Sequence, residues 1–194
     1  MGTEVELKAW VDNPEAVRRF LRENSRFEGS YVKEDTYFCR ASFDVSSEAR
    51  EEKNREALFR LREQGGVFLV TYKEKSRSAG VEVNREYEFT VSDSRAFKSF
   101  AEGIGFTPCI TKRKEGELFS WGRVNVELSF VEFLGWFIEI EDILDSESGR
   151  NDAASVERSK RNIRSILKQI GIEEECIEER YYIDMLRTMD RSND

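Results

Sequence analysis

Apolar and charged residues alternate along Thr3–Trp10, with Val5, Leu7 and Ala9 on one parity and Glu4, Glu6 and Lys8 on the other. A period of two predicts a strand, because successive strand side chains point to opposite faces. The two carboxylates and the ammonium then share one face, same-face neighbours lying roughly 6.6 Å apart. The pattern recurs. Arg60 and Arg62 flank Leu61. Lys73 and Lys75 follow Val70 and Tyr72. Glu86 and Glu88 alternate with Tyr87 and Phe89, and Lys112 and Lys114 follow Ile110. Arg123, Asn125, Glu127 and Ser129 alternate with Val124, Val126, Leu128 and Phe130, and Glu139 and Glu141 with Ile138 and Ile140. Each segment has one charged and one mostly apolar face. A half-exposed sheet has such alternation too, with its charges in water, but its strands usually mix signs, whereas these pairs are mostly acid-only or base-only.

Helical periodicity appears between the strands. Asn13-Pro14 reads as an N-cap followed by proline in the first turn, with Val17, Phe20 and Leu21 inward to about Glu23. Ser92 or Asp93 caps a helix carrying Phe97, Phe100, Ala101 and Ile104, stopped by Gly105. Val156, Ile163, Ile166, Leu167 and Ile170 form the stripe of a long helix ended by Gly171, and 176–188 reads as a last helix. The other strands are expected around 31–39, 57–63, 67–75, 82–91, 108–114, 117–130 with Gly122 as a bulge, and 135–143. Gln64-Gly65-Gly66 makes a hairpin turn. Polar stretches 44–56 and 145–152 read as loops, and 191–194 as a frayed tail after a single domain spanning 1–190.

Many antiparallel strands with few helices argue for an α+β fold with a barrel-like sheet. The helices offer apolar stripes that need the apolar strand faces. In a closed barrel the apolar face then points outward to the helices and the charged face inward. That face carries seven acids (Glu4, Glu6, Glu86, Glu88, Glu127, Glu139, Glu141) and eight bases (Lys8, Arg60, Arg62, Lys73, Lys75, Lys112, Lys114, Arg123). Such an interior calls for a metal and a phosphate chain to complete its charge balance.

Composition narrows the chemistry. The 194 residues contain no histidine, which excludes Ser-His-Asp and Cys-His nucleophilic machinery and His-ligated zinc. A net charge of −8 argues against a nucleic-acid partner. No apolar run approaches a membrane span and no signal-type segment precedes Glu4, so a cytoplasmic protein with no membrane partner is expected. Cys39, Cys109 and Cys176 show no metal spacing and are expected to stay reduced. Trp10, Trp121 and Trp136 read as core or rim packing, and Glu173-Glu174-Glu175 as solvated capping of a helix N-terminus.

The ordered segments resemble the CYTH superfamily, the triphosphate tunnel metalloenzymes. Glu4-x-Glu6-x-Lys8 resembles its ExExK signature, and Asp35-Thr-Tyr-Phe38 its second-strand motif. Arg60-x-Arg62, Thr71-x-Lys73, Glu86-x-Glu88 and Lys112-x-Lys114 resemble its later strands, and Leu134-Gly-Trp-Phe-Ile-Glu139-Ile-Glu141 its closing motif. The resemblance covers about residues 2–187 and implies an eight-stranded antiparallel β-barrel with helices packed outside. It implies Mg²⁺ or Mn²⁺ held by Glu4, Glu6, Glu139 and Glu141. It implies a triphosphate-bearing small molecule such as ATP or tripolyphosphate, gripped by Lys8, Arg60, Arg62, Lys73, Lys112 and Lys114.

Where the family commonly has an aspartate, this chain has Ser129. Glu127, two residues earlier on the same face, is the expected substitute and, with Lys8, the catalytic candidate; the competing expectation pairs Glu127 with Arg123. The layout most resembles the class IV adenylate cyclase branch, which implies conversion of ATP to cAMP and pyrophosphate. Triphosphatase chemistry and a non-catalytic polyphosphate-binding module stand as alternatives, and a homodimer stays open.

Overall fold

The computed structural model describes residues 2–40, 58–78, 81–145 and 153–190. Eight antiparallel strands close into a barrel: β1 (Gly2–Trp10), β2 (Arg26–Arg40), β3 (Phe59–Gln64), β4 (Val67–Ser78), β5 (Val81–Val91), β6 (Phe106–Trp121), β7 (Val124–Val131) and β8 (Gly135–Asp145). Their order around the barrel is β1-β5-β4-β3-β2-β6-β7-β8. Helices α1 (Pro14–Asn24), α2 (Ser94–Gly103), α3 (Ala153–Ile170) and α4 (Tyr182–Asp190) accompany it. Asn13 caps α1 by accepting from the Ala16 amide, and Asp93 caps α2 by accepting from those of Arg95 and Ala96.

The main core lies outside the barrel. Val5, Leu7, Ala9, Val126, Leu128, Ile138 and Ile140 point outward and pack with Val17 and Leu21 of α1 and Ile163, Ile166, Leu167 and Ile170 of α3. Burying the apolar parity under helices leaves the charged parity inside, as the alternation requires. The helix α4 covers the barrel end marked by Trp10 and Phe137, with Tyr182 and Met185 clustered against Val131 and Phe137.

Several elements differ from the sequence expectations. The strand expected from Tyr31 begins at Arg26 and runs 15 residues, because its partner β6, 16 residues long, pairs with it from Ser120 to Phe106. Gly116 does not interrupt β6. A Cβ there would crowd the Leu128 carbonyl and stand 2.7 Å from Ser129 Cβ. Gly122 is no bulge; with φ of 64° it opens the tight turn from β6 to β7. Arg123 occupies that turn and reaches the outward-facing Asp142 at 2.6 Å, so it belongs to neither the tunnel nor Glu127.

The expected last helix starts at Tyr182 rather than Cys176. Glu174–Cys176 form a 3₁₀ turn, and Ile177 bridges to Ala9 where β5 no longer pairs with β1. Backbone pairing with a strand end has overridden local helical periodicity. Cys39 and Cys109 form a disulfide between β2 and β6, correcting the expectation of reduced thiols. Their 70-residue separation hid the pairing, and the β2–β6 register creates it. The loop expectations for 44–56 and 146–152 and the tail 191–194 lie outside the described residues. Among the described residues no helix is long and apolar enough to cross a membrane.

Candidate active site

Strand register sets the candidate residues opposite one another. Glu6 pairs across with Glu141 and Lys8 with Glu139. Glu127 also faces Glu139, and Asn125 faces Glu141. Asp35 lies between Arg62 on β3 and Lys112 on β6. Thr71 lies between Arg60 and Glu88, and Lys73 opposes Glu86. All of these side chains except Asp35 line a cavity of about 330 Å³.

One part of the wall is acidic. Carboxylate oxygens of Glu4, Glu6 and Glu141 lie within 4.8 Å of one another. Burial and the negative charges of Glu6 and Glu4 push the Glu141 carboxyl up to about 8. Lys73 sits beside this group, 3.2 Å from Glu4 and ion-paired with Glu86. One lysine among these acids leaves the cluster short of positive charge. Its hard oxygen donors fit Mg²⁺ or Mn²⁺. Glu139, expected as a fourth ligand, is not in the cluster; it pairs with Lys114.

Elsewhere the wall is a lattice of buried ion pairs. Asp35, 1% exposed, receives Arg62 through two bonds of 2.7 and 3.0 Å and lies 3.1 Å from Lys112 and 3.9 Å from Arg60. Burial alone would raise the Asp35 pKa, but Lys112, Arg60 and Arg62 outweigh it and hold the carboxyl well below its ordinary range. Glu127 accepts from Tyr31 at 2.7 Å and pairs with Lys33 and Lys114 at 2.6 Å each. Those two lysines likewise outweigh burial and keep Glu127 ionised. Burial lowers the Lys114 pKa to about 7 despite the pull of Glu127. Arg60 donates to Thr71, which donates to Glu88.

Lys8 is placed differently from the other cations. Its ammonium donates to the carbonyls of Glu178 and Arg180 at 3.0 and 2.7 Å, tying β1 to the segment that leads into α4. Trp10 adds an indole bond to Glu178 at 3.0 Å, a rim role consistent with its half-buried ring.

Sequence reasoning missed Lys33 and assigned no role to Asp35, although Lys33, Asp35 and Tyr37 show the same alternation along β2. Tyr182 also lines the cavity, and Tyr31 reaches its wall through the bond to Glu127. The side chain of Lys75 lies outside the described residues.

Comparison with known proteins agrees with this architecture. The CYTH domain matches residues 2–182, and the chain belongs to that family. It is 24% identical, over 94% of its length and 97% of the relative's, to a Methanocaldococcus jannaschii protein provisionally named an adenylate cyclase. A solved structure from Pyrococcus horikoshii matches with a TM-score of 0.77 at 25% identity, covering 96% of this chain and 99% of that one. A Hippeastrum protein is similar in fold, with a TM-score of 0.62 at 17% identity, covering 97% of this chain and 96% of that one. That protein is described as a provisional adenylyl cyclase with a dominant triphosphatase activity.

Proposed function

We propose that this chain is a divalent-metal-dependent enzyme acting on the triphosphate of a nucleotide, with ATP converted to cAMP and pyrophosphate. The observation that carries the reading is the acidic cluster of Glu4, Glu6 and Glu141 in the same cavity as seven cations (Lys8, Lys33, Arg60, Arg62, Lys73, Lys112, Lys114). A divalent ion held by the three glutamates supplies positive charge to phosphoryl oxygens when bound. Arg60, Arg62, Lys112 and Lys114 neutralise and orient the remaining phosphate oxygens through charge-assisted bonds. Asp35 and Glu127 hold those cations in place until substrate shares them. Leu58 and Leu69 add apolar wall beside the charges, which suits a nucleoside better than bare polyphosphate. The cyclase direction is supported by the name of the M. jannaschii relative.

Hydrolysis of a terminal phosphoryl group is the second reading. It is favoured by a wall whose charges serve phosphate oxygens above all, whichever nucleophile attacks. Incubation with ATP and with tripolyphosphate, each with Mg²⁺, Mn²⁺ or EDTA, followed by product separation, tests both. Cyclic AMP with pyrophosphate supports the first reading and orthophosphate the second. Binding without turnover makes the chain a polyphosphate-binding module, and full activity in EDTA refutes the metal assignment.

A further inference from the structure

Tyr182 begins α4 and is 8% exposed. Its ring packs edge-on against Phe137 at 5.0 Å, in a cluster with Val131 and Met185. Its hydroxyl is buried and has no hydrogen-bond partner. Buried phenols normally find one, because an unsatisfied polar group carries its full desolvation cost. The ring also stands beside two ammonium groups, 4.7 Å from Lys112 Nζ and 5.1 Å from Lys8 Nζ, and lines the same cavity as the phosphate-gripping candidates. Burial, and then the charge of Glu6, hold its pKa well above the ordinary tyrosine value, so the oxygen keeps its proton and can donate. Packing does not need that hydroxyl; a phenylalanine ring would fill the same place.

Three features thus converge at the capped end of the barrel: an unused donor, two cations, and the positive end of a helix whose first turn, Tyr182 and Ile183, lines the cavity. We propose that the N-terminus of α4 with Tyr182 is the subsite for the free terminal phosphoryl group of the substrate, the phenol donating to one of its oxygens. This rests on the triphosphate reading above and adds a direction: the terminal phosphoryl faces α4 and the nucleoside lies away from it. Lys8, held by the carbonyls of Glu178 and Arg180, ties the segment that leads into this cap to β1.

Tyr182→Phe tests the assignment cleanly, because it removes an unpartnered hydroxyl and keeps the packed ring. Calorimetric titration with ATP, tripolyphosphate and diadenosine triphosphate, whose phosphates are esterified at both ends, is performed on both proteins. The ligand-free variant is expected to melt at the wild-type temperature or above it. Its affinity for ATP and tripolyphosphate is expected to fall about tenfold, the effect of one charge-assisted hydrogen bond. Wild-type protein is expected to bind diadenosine triphosphate at least about tenfold more weakly than ATP, for the same reason. Equal ATP affinity in variant and wild type, or equal affinity of wild type for ATP and the doubly esterified ligand, overturns the subsite while the triphosphate reading stands. Failure of wild type to bind either ATP or tripolyphosphate removes that reading and the subsite together.

Discussion

Asp35 and Arg62 meet inside the barrel in a two-pronged ion pair, Nε to Oδ1 at 2.7 Å and an Nη to Oδ2 at 3.0 Å. The carboxylate also faces Lys112 and Arg60, so one anion compensates three cations where a phosphate chain is proposed to bind. Asp35→Asn should therefore leave buried positive charge unbalanced and cost about 3–5 kcal/mol of stability. Denaturant unfolding checks this. Tripolyphosphate should then stabilise the variant more than the wild type, because it restores the missing negative charge. An unchanged unfolding midpoint would show that Asp35 is not the internal counter-ion.

Glu141 makes a prediction about pH. Its folded pKa of about 8 lies above the ordinary value of 4.5. Between those values the native state binds more protons than the unfolded state, so this group's contribution to stability falls as pH rises. In EDTA, wild-type protein should lose melting temperature from pH 5 to pH 8 relative to Glu141→Gln, which cannot acquire the charge. Saturating Mn²⁺ should stabilise the wild type at pH 8 and act much less on the variant. Parallel melting curves for the two proteins in EDTA would count against the acidic cluster as a metal site.

Glu127 holds two lysines, and its removal should be read through them. Burial already lowers Lys114 to about 7, and Glu127 is the largest influence raising it. Without that carboxylate the pKa falls further, so the charged fraction of Lys114, already small at pH 8, shrinks there by the full shift and by a smaller factor at pH 6. Glu127→Gln should weaken triphosphate binding about tenfold at pH 8, one charge-assisted contact, and less at pH 6. Calorimetry at both pH values checks the difference. An equal loss at both would mean that Glu127 touches substrate directly rather than through Lys114.

Ser129 is fully buried with Gly116 packed against it, Ser129 Cα lying 2.8 Å from where a Gly116 Cβ would stand. Ser129→Asp should lower the melting temperature, because it places a charge at a fully buried position. Gly116→Ala should destabilise by overpacking the same spot. Thermal scans of both variants decide it, and a Ser129→Asp protein as stable as wild type would show that this spot accommodates the carboxylate.

Much of this arrangement was legible in the chain. Alternation in Glu4–Lys8, Arg60–Arg62 and Glu139–Glu141 marked both the strands and the inward face, because side-chain direction in a strand is a local property with a period of two. The apolar parity needed helices, so the charged parity had to be enclosed. The strand boundaries were less legible where two long partners extend each other, as β2 and β6 do, and where Ile177 leaves its helical pattern to pair with Ala9.

The sequence by itself determined which face of most strands points to the interior, though not that Arg123 leaves it, and its lack of histidine left carboxylates, amines, hydroxyls and hard cations to do the chemistry. It could not say which inward residues become neighbours. Only the closed barrel and its register gathered Glu4, Glu6 and Glu141 while assigning Glu139 to Lys114. The same register gave Glu127 to Lys33 and Lys114 instead of Arg123, and joined Cys39 to Cys109. Tertiary docking of α4 made Tyr182 part of the cavity wall. The physical reason is one of range: the facing of a side chain follows from its two chain neighbours, whereas its partners lie across strand pairings and docked segments up to 172 residues away.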